Sequence, residues 1–111
     1  MTAQRFRRIA LSLPGAREGA HMRHADFRVG GKVFATLGYP DKQWGMVKLV
    51  PEEQRALVTA QPRVFLLAAG AWGRRGSTLV HLKAADQAIV DEALRSAWRG
   101  RATKAISWEP S

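Results

Sequence analysis

The chain has no cysteine among its 111 residues. That excludes disulfides, thiolate metal sites and cysteine nucleophiles together. No long apolar run is present, which excludes a membrane-spanning helix. The first residues carry Arg5, Arg7 and Arg8 but no apolar stretch of the signal-peptide kind, so the expected compartment is the cytoplasm. There is no internal repeat, low-complexity segment or linker. The length fits one domain spanning 1–111, with a tail from about 101 to 111.

Catalytic signatures are also missing. Ser12, Ser77, Ser96 and Ser107 stand in no Gly-x-Ser-x-Gly context. Adjacent carboxylates occur as Glu52-Glu53 and Asp91-Glu92, both explained as helix-surface or helix-start charges. The expectation is a protein that is not an enzyme and holds no cofactor. Glu18, His21, His24 and Asp26 have the side chains of a transition-metal site. Gly19 and the approaching strand deny them a shared helical face, so the reading is a polar connector over 16–25 and no metal.

Acidic residues are the scarcest charge. Nine Asp+Glu stand against 18 Lys+Arg, leaving a net charge of +9. A surplus of this size on a small domain favours nucleic acid, an anionic surface or an acidic partner.

What is present centres on a hairpin. Two runs, Asp26-Phe27-Arg28-Val29 and Lys32-Val33-Phe34-Ala35-Thr36-Leu37, flank Gly30-Gly31. Glycine reaches positive φ without steric cost, as a tight two-residue turn demands. The expected register sets Val29 opposite Lys32, Arg28 opposite Val33 and Phe27 opposite Phe34. Phe27, Val29 and Phe34 would then face the helices, and Asp26, Arg28, Val33 and Ala35 the other side.

The remaining elements follow from periodicity and stop signals. Thr2 caps a helix to Ser12 with Phe6, Ile9, Ala10 and Leu13 on one side, ended by Pro14-Gly15. Trp44 to Val50 is a strand. Pro51-Glu52-Glu53 opens a helix that Pro62 stops. Val64 to Ala68 and Thr78 to Lys83 are strands, separated by the basic loop Gly70-Ala71-Trp72-Gly73-Arg74-Arg75-Gly76. Asp86 caps a last helix with Val90, Leu94, Ala97 and Trp98 on its apolar side, ended by Gly100. Trp108 falls in the tail. The fold class is therefore α+β: a two-layer sandwich in the order α-β-β-β-α-β-β-α, with an antiparallel sheet and helices on one face.

From Leu13 to Trp98 the sequence resembles the MmcQ/YjbR-like family. The resemblance rests on Leu13-Pro14-Gly15 with Glu18 and His21, Phe27-Arg28-Val29, and Gly31-Lys32-Val33-Phe34-Ala35-Thr36-Leu37. Lys48-Leu49, Pro51-Glu52-Glu53, Trp72-Gly73-Arg74-Arg75-Gly76, Ala93-Leu94 and Ala97-Trp98 extend it. It implies a two-layer fold similar to secretion-chaperone-like and frataxin-like architectures. It also implies DNA binding through a double wing of β-hairpins. Many members carry an aromatic residue where this chain has Ser77, so a stacking role there is not carried over.

The expected function is electrostatic, weakly sequence-specific binding of nucleic acid, DNA first. The contact set is Arg28, Lys32, Lys42, Lys48, Trp72, Arg74, Arg75 and Lys83. Arginines at a mobile tip would reach phosphates, and Trp72 would stack on an unpaired base. The Gly-x4-Gly-Lys-Ser/Thr pattern of nucleotide-binding phosphate loops is absent. The alternative is a protein-interaction or chaperone-like module that uses the open sheet face.

Overall fold

A computed structural model describes residues 1–21 and 23–106. Helix α1 (Ala3–Ser12) is followed by strands β1 (Arg17–His21), β2 (His24–Val29), β3 (Lys32–Leu37) and β4 (Trp44–Lys48). Helix α2 (Pro51–Ala60), strand β5 (Phe65–Leu67), the short helix α3 (Gly70–Arg74) and strand β6 (Ser77–His81) come next. A 3-10 turn (Leu82–Ala84) leads into α4 (Gln87–Ile106). Among the described residues the strands form one antiparallel sheet in the order β1-β2-β3-β4-β6-β5. None of the described helices is long and apolar enough to cross a membrane.

The helix starts obey local chemistry. Thr2 Oγ1 accepts the Arg5 N–H at 3.1 Å, and Asp86 Oδ1 accepts the Ile89 N–H at 2.9 Å. Each satisfies one amide that the first turn leaves without a partner. Pro51 opens α2, where its missing N–H costs nothing.

The three longer helices pack on the same face of the sheet. Phe6 of α1 is fully buried, its ring 6.2 Å from that of Phe27 and seated over Gly45. A Cβ at Gly45 would stand 2.9 Å from the Phe6 ring, so the seat exists because that residue is glycine. Helix α4 buries Val90, Ala93, Leu94 and Ala97. Trp98 Nε1 donates to Pro14 O at 2.8 Å, tying α4 to the end of α1.

The central hairpin forms as read, with one change. Gly30 (φ 58°) and Gly31 (φ 78°) both take positive φ, and Val29↔Lys32 and Arg28↔Val33 pair as expected. The register then shifts, and Phe27 faces Ala35 instead of Phe34. Phe34 is the extra residue of a β-bulge. The reason is burial: Phe34 and Ala35 are consecutive and both join the helix-side core, which strict alternation forbids. Ala35 thus belongs to the helix side, against the expected face assignment.

Four further expectations change. The connector over 16–25 contains strand β1, paired with β2 from Arg17↔Arg28 to His21↔His24. It lacks β-branched residues, and its helix-side position Glu18 is charged, with Oε1 3.1 Å from Arg7 Nε. The basic loop holds α3, so it is no mobile tip. The strand expected to run to Lys83 ends at His81, and Lys83 lies in the 3-10 turn. Helix α4 passes through Gly100, where a Cβ would meet nothing within 4 Å. A glycine costs a helix only about 1 kcal/mol, and packing upstream exceeds that. Trp108 lies outside the described residues.

The turn gives a direct test. Gly31 has open space for a side chain, so a substitution there is penalised by φ alone. Gly31→Val should lower the urea midpoint by an amount worth about 1–2 kcal/mol. Gly31→Asn should cost clearly less, because Asn tolerates left-handed φ. Equal costs for the two would contradict a positive-φ turn.

Candidate functional site

The helices leave the other face of the sheet uncovered, and the register decides what it presents. Paired residues share a face. Arg17 of β1 and Arg28 of β2 are partners there, and Lys48 of β4 partners Ser77 of β6. All four sit toward the end of the sheet that carries the Gly30-Gly31 turn. Thr36, Met46, Leu79 and Leu66 form a less charged row across the middle. Trp44 and His81 stack toward the far end with ring centroids 4.7 Å apart.

Strand β4 and helix α3 bring Lys48, Trp72 and Arg75 together. Lys48 Nζ lies 5.4 Å from the centroid of the Trp72 ring. Lys48 and Arg75 line an open cleft of about 80 Å³ with Arg101 of α4, together with Leu49, Val50 and Pro51. Among the described residues none of these cations pairs with a carboxylate. Lys48 is half-buried, and burial first, then the Arg101 and Arg75 charges, push its ammonium below the ordinary 10.5.

The short helix α3 is fixed by backbone contact. A Cβ on Gly73 would lie 1.9 Å from Ala68 O, and one on Gly76 2.0 Å from Leu49 O. Only glycine permits that approach. Buried Gln54 of α2 completes the anchor: its Nε2 is 2.9 Å from Gly73 O, 3.3 Å from Ser77 O and 3.0 Å from Thr78 Oγ1. Thr78 Oγ1 in turn donates to Gly76 O at 3.0 Å. Arg74 and Arg75 therefore leave from a held backbone.

Arg28 is in a different state. Its Nε and one terminal nitrogen donate to the two Asp26 oxygens at 2.9 and 3.0 Å. That bond and charge raise the Arg28 guanidinium above its ordinary value. Asp26 is 1% exposed although it faces away from the helices, because the guanidinium lies across it and Gly19 leaves room. Lys32 is exposed beside the hairpin turn at the same end as Lys48. Lys42 and Lys83 are exposed at the opposite end, where Leu82 N–H donates to Gln43 O at 3.0 Å. The eight expected contacts thus divide, and one end gathers Arg28, Lys32, Lys48, Trp72, Arg74 and Arg75.

Glu18 and Asp26 point to opposite faces and each is engaged by an arginine. Among the described residues no three potential metal ligands converge. The His21 side chain lies outside that set. Sequence reasoning missed Arg17, Arg101 and Gln54. Arg101 stands one helical turn after buried Ala97, so continuing the period through Gly100 would have found it. Nothing local marks Gln54, whose partners are on α3 and β6.

An antiparallel sheet with its helices on one face and a basic end on the other defines a two-layer α+β protein. The YjbR family model matches residues 11–100, and the chain belongs to that family. No functionally curated protein matches it. The crystal structure of Deinococcus radiodurans protein DR2400, a DUF419-domain protein, is similar with a TM-score of 0.74. That match covers 94% of this chain and 87% of the other at 16% identity, a likeness of fold.

Two stability tests follow. Gln54→Ala removes the buried amide that bonds Gly73 O and Thr78 Oγ1 and leaves a cavity, and should cost about 0.5–3 kcal/mol in urea unfolding, where an exposed glutamine costs almost nothing. Lys48 gives up its proton at lower pH in the folded state than in the unfolded chain. The unfolded state binds more protons between that lowered pKa and 10.5, so stability rises with pH across this window. Wild type should gain on Lys48→Met there, and a gap independent of pH would show that the cleft does not stress the ammonium.

Proposed function

We propose that the chain binds nucleic acid through backbone phosphates, with little selectivity for base sequence and without catalysis. The observation that supports this best is the convergence of Lys48, Arg75 and Arg101 on one cleft with no paired carboxylate among the described residues. Like charges held together repel, and a polyanion relieves the repulsion while releasing its counterions. Arg17 and Arg74 extend the positive surface along the same end of the sheet, with Lys32 beside the hairpin turn. Phosphate contacts of this kind position a protein without reading sequence. α3, five residues long, offers no recognition helix for a major groove.

A protein partner is the second reading, favoured by one feature. Strand β5 is an edge strand whose Leu66 and Leu67 are 45% and 48% exposed. An extended peptide could pair with such an edge.

Fluorescence anisotropy on a labelled duplex across a salt series tests the first reading. Binding should be weak at physiological salt, with Kd about 10⁻⁴–10⁻⁶ M, and should tighten steeply as salt falls. Arg75→Ala/Arg101→Ala should flatten the log–log slope by about 1.8. Lys42→Ala/Lys83→Ala, at the far end, should leave it unchanged. Absence of binding at low salt would overturn the reading in favour of the peptide edge.

A further inference from the structure

We propose that the basic end is a site for an unpaired nucleotide within a single strand, its phosphate held by Lys48, Arg75 and Arg101 and its base stacked on Trp72. The inference rests on the phosphate-binding reading and adds which form of nucleic acid the site takes.

Three observations carry it. First, Trp72 is 69% exposed, unlike the other tryptophans with described surroundings: Trp44 stacks on His81, and Trp98 donates to Pro14 O. Second, the Trp72 ring stands beside the cation cluster, since Lys48 Nζ is 5.4 Å from its centroid and also lines the cleft with Arg75 and Arg101. Lys48 takes up one side of the indole, and an exposure this high leaves the other open. Third, the platform is fixed: Gly73 and Gly76 approach Ala68 O and Leu49 O too closely for any side chain, and Gln54 reaches Gly73 O. An aromatic held in place binds at a smaller entropic cost than one on a loose loop.

A base inside a duplex has both faces covered by its neighbours. Only an unpaired base can offer one to an indole while its phosphate reaches adjacent cations. A lone exposed tryptophan would need no explanation. One on a held backbone, beside cations that pair with no carboxylate among the described residues, fits an aromatic and anionic ligand.

The test compares a labelled single strand that cannot self-pair with the duplex of the same sequence, at one low salt concentration. Stacking of one base is worth about 1–3 kcal/mol, so Trp72→Ala should weaken single-strand binding about 5- to 150-fold. Duplex binding by that variant should be unchanged, and Trp72→Phe should retain most of the single-strand affinity. Circular dichroism checks that both variants fold. Arg75→Ala/Arg101→Ala should flatten the single-strand salt slope by about 1.4. Equal effects of Trp72→Ala on both forms, or none on either, would overturn the nucleotide site and leave phosphate binding standing. Failure of wild type to bind either form would overturn phosphate binding itself. Thymidine monophosphate that displaces the strand at equal phosphate concentration would overturn the strand as ligand in favour of a free nucleotide.

Discussion

The ring of Phe6 fills the space above Gly45, near the start of β4, and much of the molecule depends on that seat. A larger residue at 45 would lift α1 from the sheet, and Phe27 would lose its neighbour. Helix α4 would lose the partner to which Trp98 and Pro14 bind it. With α1, α2 and α4 all committed to one side, the long basic side chains of Arg17, Arg28 and Lys48 occupy the other. The basic surface is thus a by-product of where the apolar groups went.

That surface contains two solutions to the problem of a strand arginine or lysine. Arg28 is neutralised locally by a buried carboxylate that it covers itself. Lys48 has no such partner among the described residues and instead crowds against Arg75 and Arg101. The first arrangement contributes to the fold without outside help. The second crowds like charges that an anion would relieve, and the proposed binding role rests on that difference.

Local signals made much of the fold legible, since Thr2, Asp86 and Pro51 mark helix starts and Gly30-Gly31 marks the hairpin. Errors arose where a distant partner decided the outcome. Strand β1 has no strand-like composition and exists because β2 offers it hydrogen bonds. The bulge at Phe34 reflects two adjacent residues competing for one core. Gly73 and Gly76 read as loop residues, yet they are glycine so that Ala68 and Leu49 can come close. Of the candidate site, the residue types were visible and their grouping was not. Separating Lys42 and Lys83 from Lys48 and Arg75 requires the strand order, which no single segment encodes.

The bonds between α1 and α4 have a consequence for the chain while it is being made. The strands are complete once His81 has been synthesised, but the face that they turn inward is covered in large part by the helix that follows. Until α4 has emerged from the ribosome, Phe27, Phe34 and Val47 lie beneath α1 and α2 alone. Trp98 cannot find Pro14, nor can the chain's amino group reach Ala85 O. The apolar face that the strands turn inward is therefore closed by the last of the described helices, which the Trp98–Pro14 bond joins to the end of α1.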